Sequence, residues 1–260
     1  MVGRESRLSG VVFLGALLLL WEAAARSGAA DRLLFPPVSR VLETAWSLVT
    51  SGHIAAQLTA SLKRAAAGYL LAAAFCIPLG ILLGCVGPIY RALGVVIEML
   101  RPIPPPVVVP LAMLYLGLGG AMKIFVIFFS CAWPILLNAI DGSRNVDPVI
   151  LHTARTFGLS APRTLAKVIL PACLPQVMTG LRVSLPITLI LVVISEMVGS
   201  TDGIGYFILD SQRRFKIDQM YAGMLALALV GYLLNRLFDR LQRAVLWWHW
   251  GMMQREAEGR

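Results

Sequence analysis

Charge is what this sequence has least of. Asp, Glu, Lys and Arg together make up 14% of 260 residues, and apolar residues make up 58%. A soluble domain of this size needs a far larger polar surface. The mean hydropathy of +0.76 points the same way, to an integral membrane protein with little chain left for a soluble domain. Other scarcities narrow the chemistry. The four cysteines (76, 85, 131 and 173) form no CxxC or other metal spacing and read as buried, inert thiols. The three histidines (53, 152 and 249) stand too far apart for a metal cluster. No GxxxxGK[ST] occurs, so the chain has no P-loop for ATP. GxSxG, HExxH and a fixed-period repeat are also missing. The net charge of +9 sits at segment ends rather than on one face, which argues against nucleic acid and for membrane topology.

What is present falls into six apolar segments. Residues 1–10 carry Arg4 and Arg7 and form a cytoplasmic flank. Val11–Ala25 is either a signal peptide, with Ala23–Ala25 as its cleavage region, or a first transmembrane helix; Trp21 and Glu22 favour the helix. Phe35-Pro36-Pro37 breaks the chain, and Val38–Thr50 has the periodicity of an amphipathic packing helix at the outer surface. Ala65–Val86 is the second span, with Gly80 and Gly84 as a GxxxG and Gly87-Pro88 as its stop. A short loop with Arg91, Glu98 and Arg101 follows.

Pro102, Pro104, Pro105, Pro106 and Pro110 force an extended entry into a short third span, Val107–Leu118. Broken backbone at that depth needs protein or a water-filled cavity over it, so the segment is a candidate pathway wall. Met122–Ile140 is the fourth span, with Lys123 snorkelling at one end and a kink at Pro134. Its polar-capable groups, Trp133 and Asn138, are either packing groups or solute contacts. In the fifth span, Val177–Val198, Ser184, Thr188 and Ser195 fall on one stripe, which faces helices or water rather than lipid. Arg182 and Glu196 share another side; they are functional groups at membrane depth or interfacial charges. Gly199–Asp218 is an outer loop with an amphipathic piece around Tyr206–Phe215. Tyr221–Leu237 is the sixth span, anchored by Arg236, Arg240, Arg243, Trp247, Trp248 and Trp250, and residues 241–260 form an interfacial tail.

Between the fourth and fifth spans lies a polar, basic island, residues 147–171. Asp147 reads as an N-cap and Pro148 as the first helical residue, with a stop at Gly158. Ser160 reads as a second N-cap, opening a short helix that ends near Pro171. Two short helices around a tight glycine turn make a rigid knob suited to a groove on another protein; resting on anionic headgroups is the alternative. Six spans place this knob and both termini on one side, where thirteen basic residues face nine outside. Lys63 and Arg64 fall outside, against the trend.

Ala154, Gly158 four residues on, then Val168, Leu170 and Pro171 resemble the EAA loop of ABC importer permeases, although His152 and Thr153 replace its first two residues. LRPIPPPVVVPLAMLYLGLG, KIFVIFFSCAWPILLNAIDGSRNVDP and ISEMVGSTDGIGYFI are similar to the taurine/nitrate/sulfonate branch of that family, and the likeness runs from Trp21 to Trp250. It implies an all-α integral membrane protein of the MetI-like permease fold, with about six transmembrane helices and a cytoplasmic two-helix coupling loop. It implies residence in the bacterial inner membrane and a homodimer of permease chains. Two ATPase subunits would bring ATP and Mg, with no cofactor in this chain, and an external solute-binding protein would deliver a small anion. His152, Thr153, Ala154, Arg155, Phe157, Gly158, Leu170 and Pro171 are then the ATPase-coupling residues. Trp133, Asn138, Ser184, Thr188, Ser195 and Glu196 are the pathway candidates. Two other classes compete: a self-contained channel or secondary transporter, which lacks a second broken helix here, and a membrane enzyme, which lacks a cluster of reactive groups.

Overall fold

In a computed structural model the chain is all α-helical among the described residues, which are 4–28, 31 and 34–248. Trp250, Arg255, Arg260, His249 and Arg32 lie outside them, as does most of the tail. The chain divides into two compact units, Met1–Ala60 with Thr201–Val230, and Ser61–Ser200 with Gly231–Arg260.

In the first unit, helix α1 (Arg4–Arg26) is followed by the Pro36-Pro37 break and α2 (Val38–Thr50). Pro37 lies in extended backbone and ends the break. The Trp21 indole donates to the Pro36 carbonyl at 3.1 Å and lies 5.5 Å from the Tyr221 ring. Glu22 accepts from the Ser39 amide and hydroxyl, which ties α1 to the start of α2. The first turns of α3 (His53–Cys85) also belong here, with α10 (Ile204–Arg213) and the start of α11 (Ile217–Val245). The Gly203 amide donates to Gln57 at 2.7 Å.

The second unit is built around α6 (Gly120–Arg144), whose buried face includes Met122, Val126, Ile127, Cys131 and Ile135. The rest of α3 lies along one side of it. A Cβ on Gly80 would come within 2.5 Å of the Ala139 Cβ, and one on Gly84 would collide with the Ser143 hydroxyl. The GxxxG is therefore a contact seam, where two backbones meet because neither glycine has a side chain. On its other side α6 packs against α9 (Leu170–Met197), where a Cβ on Gly180 would come within 2.9 Å of the Pro134 carbonyl. Cys85 thus lies by the Arg144 end of α6, while α6 begins at Gly120. Between them the chain must travel the length of α6, about 37 Å. It does so through α4 (Gly87–Leu100) and α5 (Pro105–Leu116), bent by 96° at the proline elbow.

Several expectations are corrected here. Residues 87–100 are a helix, not a loop; Pro88 sits in its first turn, where a missing N–H costs nothing. The second span begins at His53, twelve residues early, because Ser61 and Arg64 find polar partners inside the protein. Lys123 does not snorkel. It is 3% exposed, and its ammonium donates to the Ser200 hydroxyl at 2.8 Å. The helix after Ser160 does not stop near Pro171. It runs on through α8 (Ala161–Thr164), a π-helical turn (Leu165–Ile169) and α9. The wider turn sets the register in which Leu170 donates to the Leu165 carbonyl, and Pro171 follows at the start of α9, where its missing amide is tolerated. Cys85 is exposed, whereas the other three thiols are buried.

The fold is an integral membrane one. Four helices among the described residues are long and apolar enough to cross a membrane: α3, α6, the continuous Ala161–Met197 helix and α11. The bent α4–α5 pair makes five, against the six expected from sequence. Gly84→Val should lower stability by about 1–3 kcal/mol or more, because a buried contact is overpacked. Gly94→Ala, with no atom within 4 Å of the added carbon, should leave the melting temperature in detergent nearly unchanged. Equal melting of the two variants would show that the seam is not a close contact.

Candidate functional site

The island after α6 folds into a capped knob. Asp147 accepts from the Val149 amide at 2.8 Å and starts α7 (Pro148–Thr156) with Pro148 in its first turn. The helix ends in a double closure: Leu159 N donates to Ala154 O at 3.0 Å, and Gly158 N to Arg155 O at 2.9 Å. This pattern requires a left-handed residue, and Gly158 supplies it with φ +68°. Ala154 is buried beneath the turn. His152, Thr153, Arg155 and Phe157 are exposed, together with Val149 and Ile150. Phe157, at 77% exposure, leaves a large apolar ring uncovered at a helix end otherwise rich in polar groups. Leu170 and Pro171 stand at the far end of the π-helical turn, in the first turn of α9. The helix that follows the Gly158 turn is therefore continuous from Ala161 to Met197 rather than a second short one.

The six pathway candidates separate into two groups. Trp133 and Asn138 line a cavity of about 820 Å³, along with Glu98 and Arg101 by the proline elbow, Asp141 of α6 and Val183 of α9. The Trp133 Nε1 is buried and has no hydrogen-bond partner among the described residues. Phe129 meets its ring edge-on at 5.4 Å. Asn138 donates to the Pro134 carbonyl at 2.8 Å and accepts from Gln176 at 2.9 Å, which bridges α6 and α9.

Ser184, Thr188 and Ser195 are instead buried within protein. Ser184 donates to the Gly180 carbonyl at 2.8 Å, Thr188 to Ser184 O at 2.9 Å and Ser195 to Val192 O at 2.9 Å. Hydroxyls bonded to their own helix let α9 lie close to α6, and the Cys131 thiol meets Thr188 Oγ1 at 3.0 Å.

Glu196 is fully buried rather than interfacial. Its carboxylate accepts from the Ser61 hydroxyl at 2.7 and 2.9 Å and from the Arg64 guanidinium at 2.8 Å. Arg182 does not approach it. That guanidinium pairs with Asp239 of α11 at 2.8 Å. Sequence reasoning missed the Arg64–Glu196 pair. The available signal was a Ser and an Arg three residues apart in front of an apolar run, which places both on one helix face. The pair also accounts for one of the two basic residues that ran against the charge trend, since Arg64 is neutralised inside the protein.

Residues 76–246 match the family model described as "Binding-protein-dependent transport system inner membrane component". A permease protein ascribed to aliphatic sulfonate transport in Bacillus subtilis (strain 168) is 31% identical over 245 residues, covering 94% of this chain and 89% of its own. A nitrate import permease protein of Synechocystis sp. (strain PCC 6803) is 32% identical over 244 residues, covering 90% and 88%. Among solved structures, an inward-facing MetNI methionine ABC transporter chain superposes with a TM-score of 0.61 at 20% identity, covering 72% of this chain and 93% of that one.

Arg64→Met strands a buried carboxylate and should cost about 3–5 kcal/mol, whereas Arg64→Met combined with Glu196→Leu should recover much of that. Thermal unfolding of both variants in detergent decides it. A double variant no more stable than the single one would show that the pair is not the unit that matters.

Proposed function

The chain belongs to the family of binding-protein-dependent transport system inner membrane components, as the permease subunit of an ABC importer, and from this premise we propose how its parts divide the work. It is a multi-pass membrane protein, and ATP is hydrolysed by a separate subunit. In the reading proposed, α1 is a sixth span beside the four long helices and the bent α4–α5 pair. The knob, residues 1–10 and the tail at 241–260 then face the cytoplasm, and Val38–Thr50 and Gly199–Asp218 face outward. The assembly is a homodimer of this chain with two ATPases and an external solute-binding protein, in the plasma membrane.

The knob is the coupling element. His152, Thr153 and Phe157 of α7 meet the ATPase, Arg155 belongs to the same helix but lines the cavity beneath it, Ala154 and Gly158 hold the helix in shape, and Leu170 and Pro171 carry its motion into α9. The observation that carries this reading is the uncovered Val149, Ile150 and Phe157 on a doubly closed, rigid helix. Such a helix transmits displacement because its ends leave few backbone groups free to fray. ATP binding would draw two ATPases together, move both knobs, and shift the permease between inward- and outward-open states. The shift requires that nucleotide favour one state over the other.

Trp133 and Asn138 form part of the pathway wall, which the cavity they line supports. Glu196 and the three hydroxyls fit a supporting role behind that wall. The solute is a small anion of the sulfonate or nitrate kind, by analogy with the relatives' substrates. Gly158→Val places a β-branched residue at φ +68°, a conformation it strongly disfavours. Uptake in whole cells should fall to near background while the chain still inserts, and co-purification of the ATPase should weaken. Undiminished uptake and association would remove α7 from the coupling role.

A further inference from the structure

Beneath the knob lies a second and larger cavity. It measures about 1170 Å³, above the about 300–1,000 Å³ of ordinary small-molecule pockets. One wall is Ile77, Ile81 and Leu82 of α3, and another is Leu165 and Ile169 of the π-helical turn. Ile77 sits eight residues before the Cys85 end of α3, so the cavity extends about 12 Å along that helix from its end. Arg144 and Arg155 also line it, and its lining contains no acidic residue. The Arg144 guanidinium carbon lies over the Tyr90 ring, 4.2 Å from its centroid, and its N–H groups make no hydrogen bond or ion pair among the described residues. Arg155 forms no ion pair among the described residues.

We propose that this groove seats an anionic phospholipid from the leaflet at the α7 end, with its phosphate at Arg144 and Arg155 and an acyl chain along Ile81, Leu82 and Leu165. Three features carry the choice of occupant. The wall is apolar where a chain would lie. The charged groups are both cationic, and guanidinium forks match phosphate oxygens. Basic pockets between membrane helices on one side of a bilayer are matched to anionic headgroups. A lipid in this position would touch α7, the π-helical turn and α3 at once, and so bear on how freely the knob moves against the span beneath it.

Cys85 gives the test its own probe, because it lines the groove and is exposed while the other three thiols are buried. The full-length chain would be placed in nanodiscs of phosphatidylcholine alone, or of phosphatidylcholine and phosphatidylglycerol in equal parts. The rate of Cys85 alkylation by the uncharged N-ethylmaleimide is then compared. The proposal expects alkylation to slow by about fivefold with phosphatidylglycerol. That difference should vanish in Arg144→Gln/Arg155→Gln and shrink in Arg155→Gln, whose side chain is exposed and whose loss leaves the packing intact. Equal rates in the two lipid mixtures would overturn the proposal. So would a slowing that persists in the double variant, which reports surface potential alone. Protection seen only on adding the ATPase would overturn it too, and would give the groove to the motor subunit.

Discussion

Helices in lipid gain nothing from hiding apolar side chains from one another, because the surrounding tails are equally apolar. Close approach has to come from somewhere else, and in this chain it comes from missing side chains on the helices that pack against α6. Gly80 and Gly84 let α3 reach one side of it, and Gly180 lets α9 reach another. Ser184 and Thr188 serve the same seam by turning their hydroxyls onto their own backbone. The remaining features of the second unit depend on that triple contact. It sets where α6 ends, hence where α7 hangs, and it sets the distance that α4 and α5 must cover.

Polar groups inside this frame are placed by partnership. Glu196 sits at the C-terminal end of α9, fully buried, because Ser61 and Arg64 of α3 saturate its oxygens. A carboxylate at that depth without a cation would lose its charge or expel its helix. Lys123 is held in the same way by Ser200. The cavity beside Trp133 contrasts with both. Glu98, Arg101 and Asp141 make no ion pairs among the described residues, and the Trp133 indole has no acceptor. The charged groups of the seams are paired, whereas Glu98, Arg101 and Asp141 on the cavity lining are not, although Asn138 beside them is bonded to Pro134 and Gln176.

The π-helical turn at Leu165–Ile169 joins these two halves of the architecture. Turns of this kind often mark functional segments within otherwise regular helices. Here the turn lies where the knob becomes a span, close to Pro171, and its apolar residues help to line the groove beneath α7. The helix that begins at Ala161 runs without a break into α9, which carries Val183 on the cavity wall.

Local chemistry was open to sequence reading. Asp147, Pro148 and Gly158 announce the start and stop of α7, because caps and left-handed turns are decided within a few residues. Apolar runs announce the long helices for the same reason, and the proline cluster announces the elbow. The residues of α4 were misread because Arg91, Glu98 and Arg101 suggested solvent, while their effect depends on what faces them. Pro171 was misread as a stop because a lone proline cannot reveal that a wider turn precedes it. Which hydroxyls pack and which groups line space, that Arg64 rather than Arg182 answers Glu196, and that a groove opens under the knob were settled only by the packing of α3, α6 and α9. Those contacts join residues far apart in the chain, from 38 positions for Asn138 and Gln176 to 135 for Ser61 and Glu196, and one-dimensional periodicity shows the face a residue occupies but not what lies opposite.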